Sequence, residues 1–139
     1  MEYFLLGALF WVCVDFTTAF APDVHRWVSY MPTILLFYFG SPLLFAVLIY
    51  WEGWSDRRLV GPMLVVLVLV EVVFSHNALL FTFPLLVVFI PVAVAIYSLL
   101  TFVPRWVVDG RLAQHRRTAL LFAVVWLVVA LLSTSSRLA

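Results

Sequence analysis

The sequence predicts an all-α, polytopic integral membrane protein, a bundle of five transmembrane helices. Three observations carry that reading. First, 66% of its 139 residues are hydrophobic and only 11% are charged, whereas a soluble domain has about 25% charged residues. Such a chain cannot solvate its own surface, so lipid is its solvent. Second, the stretch Val60–Val103 holds a single charged side chain, Glu71, and a single histidine, His76. As one helix it would run roughly 66 Å. A bilayer core is ~30 Å thick, so the stretch folds back once and makes two spans. Third, the arginines segregate between the connections, as set out below.

Taken in order, the chain reads as one domain, residues 1–139, with spans at about 3–20, 32–51, 62–80, 84–103 and 118–132. Span 1 carries Asp15, Thr17, Thr18 and the only cysteine, Cys13, read as a small core residue with no disulfide partner. It resembles a secretory leader only superficially. No Arg or Lys precedes it, and Pro22 follows the Ala19-Phe20-Ala21 site, so it is read as a retained span. Residues 21–31 form a loop with Asp23 as a candidate helix cap and Trp27 and Tyr30 as interfacial aromatics. Span 2 opens at Pro32, carries Ser41-Pro42 at its middle and ends at Tyr50-Trp51.

A polar loop with Arg57-Arg58 precedes Pro62, which opens span 3. The following turn falls either at Ser75-His76-Asn77 or at Phe81-Thr82-Phe83. The second placement is preferred, because it gives both spans ~28–30 Å and lets Pro84 repeat the opening pattern of Pro32 and Pro62. Pro104 stops span 4, and the connection that follows holds Arg105, Asp109, Arg111, His115, Arg116 and Arg117. With five crossings, Arg57, Arg58, Arg105, Arg111, Arg116 and Arg117 share the side of the N-terminus, while Arg26 and Arg137 lie opposite. The positive-inside rule then puts the N-terminus in the cytoplasm and the C-terminus outside, in a cytoplasmic-type membrane.

Chemistry is expected at the two carboxylates within spans. A charge at the bilayer centre costs about 2.5–3.5 kcal/mol on insertion scales, so such groups face the bundle interior and find partners. Glu71 lies at the middle of span 3. Asp15 lies ~6 Å outward of the middle of span 1, and His76 roughly 7 Å beyond Glu71. Asp15, Glu71 and His76 are therefore the candidate catalytic or relay groups, with Asn77, Ser75 and Thr18 as the polar pocket. Glu71 and His76 are five apart, about 140° around an ideal helix, so they share a face only where the helix loosens. In the alternative structural reading, Asp15 and Glu71 bond to Thr17, Thr18, Ser41 and Ser75 as glue between helices.

No P-loop, Rossmann, G-x-S-x-G, H-E-x-x-H or C-x-x-C pattern occurs, no metal site is read, and no cofactor is assigned. A formal net charge of +1 gives no basic face to track nucleic acid. The expected partners are the bilayer and either other membrane proteins or further copies of the chain. Five short spans enclose little volume. The leading functional expectation is therefore an integral subunit or accessory component of a larger membrane complex. The alternative is an independent membrane enzyme on a lipid-soluble substrate, or a proton- or cation-coupled carrier, working through the intramembrane carboxylates. Whether the chain is an enzyme is left open.

Overall fold

A computed structural model describes residues 1–75 and 83–139. Among these residues there are five helices and no strand. Helix α1, Glu2–Asp15, widens into a π-helical turn at Phe16–Phe20. Helix α2, Val24–Ala46, ends in a second such turn at Val47–Trp51. Helix α3, Asp56–Val68, ends in a third at Leu69–Phe74. Helices α4, Leu85–Val108, and α5, Arg116–Leu138, are α-helical throughout. Four of these rods, Glu2–Phe20, Val24–Trp51, Leu85–Val108 and Arg116–Leu138, are long and apolar enough to cross a membrane. The molecule is a multi-pass helical membrane protein. Helix α3 with its π turn is about 28 Å long, but Asp56, Arg57, Arg58 and Glu71 make it the most charged of the five.

The ends of the helices report the topology. At one end Tyr3 packs edge-on against Tyr50 at 5.9 Å. Beside it, Tyr50 donates to Asp109 at 2.9 Å, and Arg105 reaches Asp56 at 2.7 Å. His115 stacks on Trp106 at 4.3 Å. The starts of α1, α3 and α5 therefore meet the ends of α2 and α4. At the opposite end Arg137 donates to the carbonyls of Thr18 and Ala21, at 2.8 and 3.0 Å. Successive helices thus alternate in direction, and the two chain ends lie at opposite ends of the bundle. Both arginine-rich connections share the N-terminal end, as the arginine distribution predicts.

The second half of α4 is the central post. Every residue from Tyr97 to Pro104 is buried, and Leu59, Met63, Val66 and Leu67 of α3 join Trp11, Val14, Tyr38 and Phe45 around it. Helices α1 and α2 approach closely at Gly7, where an added Cβ would stand 3.1 Å from the Pro42 ring. Helix α5 lies outermost, with no buried residue, and presents Leu120, Leu121, Val124, Leu127, Val128, Leu131 and Leu132 outward.

Several helices are longer than expected. Asp23 does cap a helix, accepting from the Arg26 N–H at 2.9 Å, but that helix is not confined to the expected loop of residues 21–31. It is the start of α2, which continues through Pro32 and Pro42 to Trp51. Likewise α3 begins at Asp56 and contains Pro62, α4 runs through Pro104 to Val108, and α5 extends from Arg116 to Leu138. For α2, α3 and α4 the common cause is that a membrane helix absorbs proline: neighbouring helices and local turn adjustments compensate the missing bond, so proline is no stop signal there. Both candidate placements of the span 3–4 turn fall wholly or partly on residues 76–82, outside the described residues. Cys13 is exposed, not in the core. It sits between Val12 and Val14 on the side of α1 away from the buried Trp11 and Val14.

Candidate functional site

Both carboxylates expected within spans sit where a helix changes its winding. Asp15 is the last residue of α1 before the π turn Phe16–Phe20, and Glu71 lies inside the π turn of α3. Wider i→i+5 bonds mark these turns: the Ala21 N–H to the Phe16 carbonyl at 2.7 Å, and the Ser75 N–H to the Val70 carbonyl at 2.8 Å. After Asp15 the local cause is visible. The Thr17 hydroxyl donates to the Cys13 and Val14 carbonyls at 2.7 and 3.0 Å, and that of Thr18 to the Val14 carbonyl at 2.8 Å. Side-chain hydroxyls thus cover carbonyls at the register change. Such winding defects gather at functional sites more often than elsewhere in helices.

Each carboxylate receives a phenol. Tyr38 of α2 is buried, and its hydroxyl donates to Asp15 Oδ2 at 2.5 Å while accepting from the Trp27 indole N–H at 2.9 Å. Tyr97 of α4 is buried too, and its hydroxyl donates to Glu71 Oε1 at 3.1 Å. Trp11, one helical turn before Asp15 on the same face of α1, stands edge-on to Tyr97 at 5.5 Å and 86°. The two pairs form one cluster drawn from four helices. Trp11 links them, lying on the α1 face of Asp15 and against the ring of Tyr97.

The other expected members stand as follows. Thr18 is near Asp15 in sequence, yet its hydroxyl is bonded to the Val14 carbonyl and its own carbonyl to Arg137. Thr17 serves α5, accepting from the Trp126 indole at 2.9 Å. Neither threonine donates to a carboxylate, so the expected threonine partners are replaced by tyrosines. Ser75 is exposed at the end of the α3 π turn. His76 and Asn77 lie outside the described residues, and the π turn that holds Glu71 runs to Phe74. Sequence reasoning missed Tyr38 and Tyr97 as site residues. The available signal was that both are phenols deep inside apolar spans, where a buried tyrosine hydroxyl must find an acceptor.

A second polar cluster closes the N-terminal end. Asp56 pairs with Arg105 at 2.7 Å and Arg111 at 3.5 Å, and Asp109 takes both of these arginines at 3.3 Å. The Trp106 indole donates to Asp56 at 3.2 Å. This network ties the start of α3 to the end of α4. Among the described residues no group of three or more His, Cys, Asp or Glu stands together to hold a metal.

Fold and site define a multi-pass helical membrane protein with a carboxylate–tyrosine cluster inside the bundle. The chain matches no family model, no curated protein and no solved structure.

Proposed function

We propose that this protein is a small membrane carrier or relay that binds a proton, or a cation in its place, at the Asp15–Glu71 cluster. The observation that supports this most is that two carboxylates on α1 and α3 are each bonded to a buried tyrosine from another helix, with Trp11 of α1 set edge-on between the pairs against Tyr97. Carboxylates kept within a bilayer face the bundle interior and mark proton and ion paths. A carboxylate in a low-dielectric bundle interior is costly as an isolated charge, and a bound proton or cation removes that cost. The phenols orient both acceptors and can pass a proton. Under this reading the N-terminal end, with six arginines against two, faces the cytoplasm, and the chain crosses five times. The test is flux in reconstituted vesicles carrying a pH gradient and an interior pH dye. Wild type dissipates the gradient, whereas Asp15→Asn and Glu71→Gln do not, at equal folded yield. Equal flux in all three would assign the acids to packing alone.

A second reading, an integral subunit of a larger membrane complex, draws on a different feature. Between α2 and α3 an open apolar groove of about 230 Å³ is lined by Leu36, Phe37, Gly40, Ser41, Leu44, Val66 and Leu69. Small residues such as Gly40 and Ser41 let a further transmembrane helix approach closely. Co-purification of stoichiometric larger subunits, lost in Gly40→Leu, supports this reading; a monomer in wild type and variant alike opposes it.

A further inference from the structure

The N-terminal end of the bundle carries two kinds of arginine. Arg105 and Arg111 are neutralised by Asp56 and Asp109. Arg57, Arg58, Arg116 and Arg117 are exposed, and among the described residues they make no ion pair. These four form two doublets, one in the first turn of α3 and one in the first turn of α5. A single side chain relates them. The Trp106 indole bonds Asp56, the residue before the first doublet, and stacks at 4.3 Å on His115, the residue before the second. The doublets therefore flank one indole, at an end where the neighbouring Trp51 is 84% exposed, as befits an interfacial aromatic.

We infer that the doublets Arg57-Arg58 and Arg116-Arg117 form a docking surface for the headgroups of anionic phospholipids. The proposal does not depend on the carboxylate cluster. In a membrane helix bundle the first turns of α3 and α5 stand at headgroup depth, and the partner there is the phosphate layer. Arginine presents paired N–H donors that match phosphate oxygens bidentately. The free N–H groups of both helix starts add positive potential in the same place. Basic residues next to a span are attracted to anionic leaflets, each by an increment that accumulates with number. The internal ion network leaves these four as the cations available to lipid, since it consumes Arg105 and Arg111.

The test uses the full chain in nanodiscs of phosphatidylcholine with and without phosphatidylglycerol, read as the thermal unfolding midpoint and as lipid retained in native mass spectrometry. Wild type is expected to unfold at higher temperature with phosphatidylglycerol and to retain it over phosphatidylcholine by about tenfold or more. The variant Arg57→Gln/Arg58→Gln/Arg116→Gln/Arg117→Gln loses most of both effects, and each doublet variant alone loses part, which serves if the fourfold variant does not fold. Arg26→Gln, at the opposite end, keeps both. Replacing the four arginines with lysine retains part of the preference. The inference is overturned if the doublet variants keep the wild-type response, if Arg26→Gln loses it equally, or if inorganic phosphate in phosphatidylcholine discs alone reproduces the shift.

Discussion

Tyr38 donates to Asp15 across the α1–α2 interface at 2.5 Å while accepting from Trp27 at 2.9 Å. The hydroxyl is thus the middle of a three-residue chain, and both neighbours depend on it. Tyr38→Phe deprives Asp15 of a donor and the Trp27 indole of an acceptor. It is expected to cost about 1–2 kcal/mol of stability, measured by thermal unfolding in lipid. Asp15→Asn keeps an acceptor oxygen at the same place and costs less. Because the residues share a bond, the double variant should fall short of the sum of the single losses; strict additivity would break the chain.

Helix α5 is fastened by few polar links, which makes them separable. Trp126→Phe removes the indole donor to Thr17, and in membrane bundles such interhelical bonds are worth about 0.6 kcal/mol, at most ~1.7. Faster hydrogen exchange confined to α5, with α1 to α4 unchanged, is the expected signature. Uniform acceleration through the bundle would mean that α5 is integral to the core.

The ion network has a graded prediction. Arg105 is only 12% exposed at its side chain and Asp56 29%. Asp56→Asn leaves the largely buried Arg105 guanidinium to Asp109 alone and weakens the Trp106 contact, a cost of about 1–2 kcal/mol, below the ~3–5 of a fully buried pair. Arg111→Gln removes a more exposed partner and should do less, with a difference that shrinks as salt is raised. The reverse order, from unfolding in detergent at two salt concentrations, would count against the assigned geometry.

Two glycines separate backbone from packing. At Gly61, in the middle of α3, nothing stands within 4 Å of an added Cβ, so Gly61→Ala should stabilise by about 0.5–1 kcal/mol through helix propensity. At Gly7 the added methyl meets the rigid Pro42 ring at 3.1 Å, and the same gain should be cancelled or reversed as α1 and α2 are pushed apart. Equal stabilisation at both sites, in paired melting curves, would contradict the close α1–α2 crossing.

Much of the architecture is legible in the residues. Apolar length limits the possible spans, and the positions of Arg57, Arg58, Arg105, Arg111, Arg116 and Arg117 force both of their connections to one end, where Arg105 and Arg111 meet Asp56. Helix ends are less legible, because Pro32, Pro62 and Pro104 read as boundaries on rules that hold best in water. Half of the site is legible for a related reason. Asp15 and Glu71 stand out as costly in oil, but Tyr38 and Tyr97 look like packing residues among many aromatics. Their pairing depends on how four helices rotate about their axes. The winding change at Asp15 belongs to the same class: its threonines are visible, yet only the folded turn shows them bonding back to Cys13 and Val14.

The proposal that Asp15 and Glu71 bind a proton is tested most directly by infrared difference spectroscopy of the lipid-reconstituted protein as pH is stepped. A carboxylic acid C=O band should be present on one side of the step and absent on the other, and it should be altered in both Asp15→Asn and Glu71→Gln. A protein whose two acids remain ionised at every pH that leaves it folded, or whose acid band is untouched by either substitution, would contradict the account.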